Sequence, residues 1–213
     1  MKKALLALLA STSMASAADL ALLKAPPQAY SDWFFLMGVE AGGAVTNHSF
    51  DFFNTGTGTV EVGGALAGAL VGLEYKKAFM ARFEIDADYD FGRGGATCMG
   101  MGVACHLTHG GLITERVDLG LPLPFLGGTT PYVSAGVQQA QTFAAIDNVG
   151  SGSAWYNAFV AGAGLDVPMG TFFSLGLRWD HVWPGHTIGI APAIVSDTNE
   201  RDVFKANLKW RLN

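Results

Sequence analysis

The chain has 213 residues, half of them apolar and 15% charged, with 13 Lys+Arg against 18 Asp+Glu. That balance excludes a disordered or solvated chain, which needs high charge and few apolar groups. A formal charge of -5 speaks against a nucleic-acid partner, whose phosphates require a basic surface.

Residues 1–17 read as a secretory signal peptide. Lys2 and Lys3 form a positive start, Ala4 to Ala10 is a short apolar run, and Ala15-Ser16-Ala17 is a small-residue cleavage site. The run is too short to span a bilayer as a helix. Cleavage after Ala17 leaves 213 − 17 = 196 residues with 11 positive and 18 negative groups, a net of -7. A Pro-containing tail, 18–32, follows and is expected to stay in the periplasm.

From Trp33 the chain alternates with period two, the signature of strands whose successive side chains point to opposite faces. The expected strands run 33–45, 65–75, 79–90, 113–121, 131–141, 155–167, 173–180 and 204–212, about ten residues each. In the third, Phe79, Ala81, Phe83, Ile85, Ala87 and Tyr89 oppose Met80, Arg82, Glu84, Asp86, Asp88 and Asp90. In the last, Phe204, Ala206, Leu208, Trp210 and Leu212 oppose Lys205, Asn207, Lys209 and Arg211. Glu115 breaks the pattern on the fourth, falling among Ile113, Val117 and Leu119, which points to a bulge or a place near a membrane rim. The charge-free stretch 119–146 is no membrane helix, because Pro122, Pro124, Pro131 and Gly127-Gly128 interrupt it.

Connections alternate in length. Residues 76–78, 122–130 and 168–171 are short turns, whereas 46–61, 91–106, 142–154 and 183–201 are expected as long loops. This rhythm fits an all-β, eight-stranded antiparallel up-and-down transmembrane barrel over 33–213. The rival is a secreted β-sandwich, whose apolar face would turn inward.

Three features favour the barrel. The polar face carries both signs: Glu40, Glu74, Glu84, Asp86, Asp88, Asp118, Asp166 and Asp180 against Arg82, Arg116, Arg178, Lys205, Lys209 and Arg211. Eight strands leave room for little beyond side chains, so these charges are expected to pair across the lumen. Glycines on the same face make space for them. Finally, Trp33, Phe35, Tyr75, Phe79 and Trp210 gather near one end of the strands, and Tyr89, Trp155 and Trp179 near the other, as two aromatic girdles do.

With these residues in view, the mature chain resembles the small outer-membrane β-barrels of alphaproteobacteria, the surface-antigen family related to the OmpA transmembrane barrel. The resemblance rests on the signal peptide, on Ala18-Asp19-Leu20 through Lys24-Ala25-Pro26-Pro27, and on Pro131-Tyr132-Val133 opening a strand. It also rests on Ala161-Gly162-Ala163-Gly164-Leu165-Asp166 before a short turn and on the amphipathic last strand. It implies the outer membrane of a Gram-negative bacterium, contact with membrane lipid and lipopolysaccharide, and assembly by the barrel-assembly machinery. That machinery commonly reads a terminal aromatic in the family, whereas this chain ends Trp210-Arg211-Leu212-Asn213.

Cys98 and Cys105 lie close together in an exported chain and are expected to form a disulfide. Zinc held by these two with His106 and His109 is the weaker alternative, because the spacing is not a standard one. Lipid-modifying barrels of the deacylase kind would place a serine two residues after a late-strand histidine. Here His181 precedes Val182-Trp183 and His186 precedes Thr187-Ile188, so no enzyme, cofactor or metal is expected. The resulting expectation is a structural, surface-exposed barrel contributing to outer-membrane integrity, with a narrow porin-like channel as the alternative. Oligomeric state is open at this stage.

Overall fold

Alternation becomes a closed sheet because every strand finds a hydrogen-bonding neighbour on both edges. A computed structural model describes residues 32–52, 56–98, 103–147, 150–191 and 194–212. Its strands are β1 (Trp33–Phe52), β2 (Gly56–Lys76), β3 (Met80–Asp90), β4 (Arg93–Cys98), β5 (Val103–Gly120), β6 (Thr130–Ile146), β7 (Gly150–Pro168), β8 (Phe173–Ala191) and β9 (Ile194–Leu212). All pairings are antiparallel between neighbours, and β1 pairs with both β2 and β9, which closes the ring. β3 and β4 are two parts of one crossing, interrupted at Phe91-Gly92, and both pair with β2 and β5. The fold is therefore a closed, eight-stranded antiparallel β-barrel.

The stagger follows from the register. From Phe35 the directly paired residues run Leu73, Phe83, Val117, Ala135, Ala161, His181 and Asp202, and the circuit returns to β1 at Val45. The displacement is 45 − 35 = 10 residues, a shear that tilts the strands by about 40° and leaves an interior that side chains alone can fill.

Turns at one end match the expected positions: 77–79, 121–129 and 169–172 join the strands there. The second contains a 3-10 turn at Pro124–Leu126, ended by Gly127 in the left-handed region (φ 66).

The expected long loops need correction. β1 and β2 continue through most of 46–61, β5 begins at Val103, and 142–154 and 183–201 belong largely to β6, β7, β8 and β9. Seven of the eight crossings are single strands of 17 to 21 residues, not ten. At about 3.3 Å per residue and the tilt above, β1 rises about 50 Å, twice the height of the apolar band on a membrane barrel, about 25 Å. Period two fades beyond that band because the outward face turns polar there (Asn47, Ser49, Thr59, Glu61) while the ladder continues.

The expected signal peptide, 1–17, and the expected tail, 18–32, up to residue 31 lie outside the described residues.

Candidate functional site

The lumen holds the molecule's buried chemistry, and it is stratified from the turn end upward. At the bottom, Arg211 Nε donates to Glu74 (2.8 Å) and Lys76 Nζ to Thr130 Oγ1 (2.8 Å). Arg82, projecting from β3, donates to Asp118 on β5 through Nε (2.8 Å) and Nη2 (2.5 Å) and to Asp166 on β7 through Nη1 (2.5 Å). Lys209 from β9 reaches the same Asp166 (3.1 Å) and lies 3.5 Å from Glu84. The Tyr132 ring covers these two cations, 4.9 Å from the Arg82 guanidinium and 5.5 Å from the Lys209 ammonium. Its space comes from β7, where a β-carbon on Gly164 would overlap the ring.

One tier higher, Arg178 on β8 bonds to Glu84, to Glu40 (2.9 Å) and to Asp86 (2.9 Å). Arg116 bonds to Asp86 and to Asp180 (2.7 Å). Lys205 tops this tier, bonded to Glu40 (2.7 Å) and Asp88. Thus Glu40, Glu74, Arg82, Glu84, Asp86, Asp88, Arg116, Asp118, Arg178, Asp180, Lys205, Lys209 and Arg211 all sit inside the barrel and are brought into one network. The aligned carboxylates Glu84, Asp86 and Asp88 each face a cation, so they are not a free acid–base pair.

Above the charges the lumen turns apolar. Ala44, Leu66, Leu112, Ala140, Tyr156, Ala158, Val160, Val182 and Val203 form a packed layer drawn from seven strands. At its loop-end margin, Arg201 Nη2 donates to Asp90 (2.6 Å), whose other oxygen accepts from the Gly92 N–H (2.7 Å). His109 Nδ1 lies 2.9 Å from Asp90, and its Nε2 lies 2.8 Å from His48 Nε2. With Nδ1 donating to the carboxylate, His109 Nε2 is the acceptor and His48 Nε2 the donor.

Sequence reasoning missed this upper half. Arg201 and His48 fell in stretches expected as loops, and the apolar layer was hidden on a face defined by its charges. Interior spacing on β9, with Arg201 and Val203 in step with Lys205, was the available signal.

On the outside, Trp33, Phe35, Phe79, Tyr89, Trp155 and Trp179 are exposed, and Tyr75 and Trp210 half-exposed. Trp33, Tyr75 and Phe79 form one chain of ring contacts at the turn end, with Phe173–Trp210 beside it. At the other end Tyr89 meets Phe91, and Phe159 meets Trp183. His181 lies between Trp179 and Trp183 and bonds to Asp202 (3.0 Å).

Glu115 is neither in a bulge nor at a rim. The register shift on β5 falls between His109 and Leu112, and Glu115 faces outward, paired with Ile85 on one side and Val137 on the other. His106 and His109 point to opposite faces, exposed and buried respectively, so they do not converge on one metal. The expected Cys98–Cys105 bridge lies outside the described side chains.

No protein-family profile matches the chain, and no curated protein matches it. Among solved structures it is similar to the outer membrane protein AlkL determined in lipid bilayers: TM-score 0.53, 13% identity, 89% of this chain and 94% of that one. It is also similar to the outer membrane protein OprG of Pseudomonas aeruginosa, with TM-score 0.51, 9% identity and coverage of 84% and 96%. Ail of Yersinia pestis, the attachment invasion locus protein, aligns at TM-score 0.46 and 9% identity, over 84% of this chain and 99% of that one. The first two establish the fold as that of small outer-membrane barrels.

Proposed function

We propose that this protein is an integral outer-membrane β-barrel of a Gram-negative bacterium that acts as a structural, surface-exposing scaffold and not as a conduit. The observation that carries this reading is the doubly closed lumen. Ion pairs fill its turn-side part and a packed apolar layer lies above them. A pore needs a continuous wetted path, and here each tier would have to be dismantled to make one.

The outward band of Phe35, Val39, Val71, Phe83, Val117, Val133 and Leu177, all exposed, suits hydrocarbon, and the two aromatic rows suit its interfaces. The strands that continue beyond the band would stand well clear of the bilayer, among lipopolysaccharide chains. The family features around Pro131–Val133 and Ala161–Asp166 favour the alphaproteobacterial surface-antigen barrels within this class, and assembly by the barrel-assembly machinery goes with them.

Two measurements test the reading. Membrane fractionation with boiled and unboiled gel samples should give an outer-membrane band whose mobility shifts on boiling. Planar-bilayer recording of the purified protein should give no steady conductance. A steady, single-sized conductance would replace the scaffold by the narrow solute channel, and a soluble protein without a shift would end the membrane reading altogether.

A further inference from the structure

A carboxylate facing hydrocarbon has no hydrogen-bonding partner in the lipid, so its place on the barrel wall calls for one from protein. On β5 the outward residues between the turn-side rim at Leu121 and the aromatic rim at Gly111, opposite Tyr89, are Leu119, Val117, Glu115 and Ile113. At about 2.5 Å of height per tilted residue, Glu115 lies about 15 Å above Leu121, close to the middle of an apolar band about 25 Å tall. Its outward neighbours Ile85, Ile113, Val117 and Val137 are apolar. His181, the comparable polar group on the far side, is satisfied by Asp202. Among the described residues, no hydrogen bond or ion pair joins Glu115 to its own chain.

The polar character continues upward on this face. Gln139 on β6 is outward and exposed, one outward position above the Val137 that pairs with Glu115, and Asn157 on β7 pairs with Gln139. Flanking Ala87 and Ala135 keep the wall low on either side of Glu115.

We propose that the β5–β7 face is a lateral interface with a second copy of this chain, related by a two-fold axis along the membrane normal and centred on Glu115. The proposal rests on the membrane-barrel reading. Such an axis preserves depth, so Glu115 meets Glu115 and Gln139 meets Gln139. Both groups are self-complementary: two carboxyls joined through a shared proton, and two amides that each donate and accept. Polar pairs of this kind act as glue where no hydrophobic force separates protein from lipid.

The experiment uses the full chain in lipid vesicles, with Cys98→Ser and Cys105→Ser in every variant. Val117→Cys, beside the axis, should cross-link to a symmetric dimer on oxidation, and Val39→Cys, on β1 across the barrel, should not. Adding Glu115→Leu to Val117→Cys should cut the dimer about tenfold, the equilibrium shift expected of one intramembrane polar pair, whereas Glu115→Gln should retain it. Equal cross-linking at both positions, indifference to Glu115→Leu, or monomers throughout would overturn the interface. So would cross-links only to other proteins in native membranes. The boiling-dependent gel shift, measured on each sample, shows whether the barrel has inserted. Loss of the shift in the unsubstituted protein would refute the membrane reading, whereas a shift without a dimer refutes the interface alone.

Discussion

Two halves of one lumen solve the same geometric problem by different physics. On the turn side, cations reach across the barrel to carboxylates on distant strands, as Arg178 on β8 does to Glu40 on β1 and Glu84 on β3. On the loop side, Leu66, Leu112, Val160, Val182 and Val203 simply fill the space. The charged half is directional, and every member depends on partners that water cannot replace. The apolar half is non-directional and sensitive mainly to volume. Among the described buried residues the charged half and its margin hold seven Lys/Arg and nine Asp/Glu. Carboxylates are in excess, so the arrangement is more vulnerable to losing a cation than to losing an acid.

The sharpest way to break this comparison is Arg178→Ala, which takes one cation from each of Glu40, Glu84 and Asp86 around the vacated guanidinium. Removing one member of a buried ion network should cost about 3–5 kcal/mol, read as a lower urea midpoint for unfolding from lipid vesicles. The same logic applies to Arg82→Ala, which takes from Asp118 its hydrogen-bonded cation and leaves Asp166 with Lys209. A change below about 0.5 kcal/mol for either would mean that water or rearranged neighbours already satisfy the carboxylates.

For the apolar half, Leu66→Ala removes a side chain 2% exposed and should cost about 2–4 kcal/mol through lost transfer energy and a residual cavity. Because the ion tiers stay intact, its loss should leave bilayer conductance at baseline. A conducting Leu66→Ala barrel would make the apolar layer, not the charges, the seal.

A boundary case is Gly164→Ala, which forces a methyl against the Tyr132 ring that covers Arg82 and Lys209. Overpacking there should cost about 1–3 kcal/mol in the same urea experiment. A neutral result would mean that Tyr132 has room to shift off both cations.

The smallest effect belongs outside the barrel. Lys77 in the first turn donates to Asp32 (3.1 Å), and both are exposed. The hydrogen bond and charge of Asp32 raise the Lys77 ammonium above its ordinary range. Its contribution is therefore present below the ordinary lysine value and fades only as pH rises through the raised one. Lys77→Ala should leave the unfolding midpoint at neutral pH unchanged within error, because solvent screens exposed pairs. A clear drop would show that the turn, and not the lumen, limits barrel stability.

Much of this was legible beforehand. Alternation in 79–90 and 204–212 assigned Arg82, Glu84, Lys205 and Lys209 to one face and Phe83, Phe204 and Trp210 to the other, and the turn residues marked one end of every hairpin. Strand continuation past Val45 and Glu61 was not legible, since a strand with polar groups on its outward face loses the contrast on which period two depends. His48 and Arg201 disappeared with it. Glu115 registered only as an exception, because its depth follows from the register of β5 against β3 and β6.

By itself the sequence determined the all-β class, the eight crossings, and which side chains share a face, because all of these follow from a local two-residue repeat. The tertiary structure decided that Arg178 meets Glu40, 138 residues away in the chain, that the charges lie beneath an apolar layer, and that Glu115 sits at mid-depth. Those depend on closure and on a stagger of ten residues around the ring, which brings distant strands to a common height, and no local pattern encodes that height.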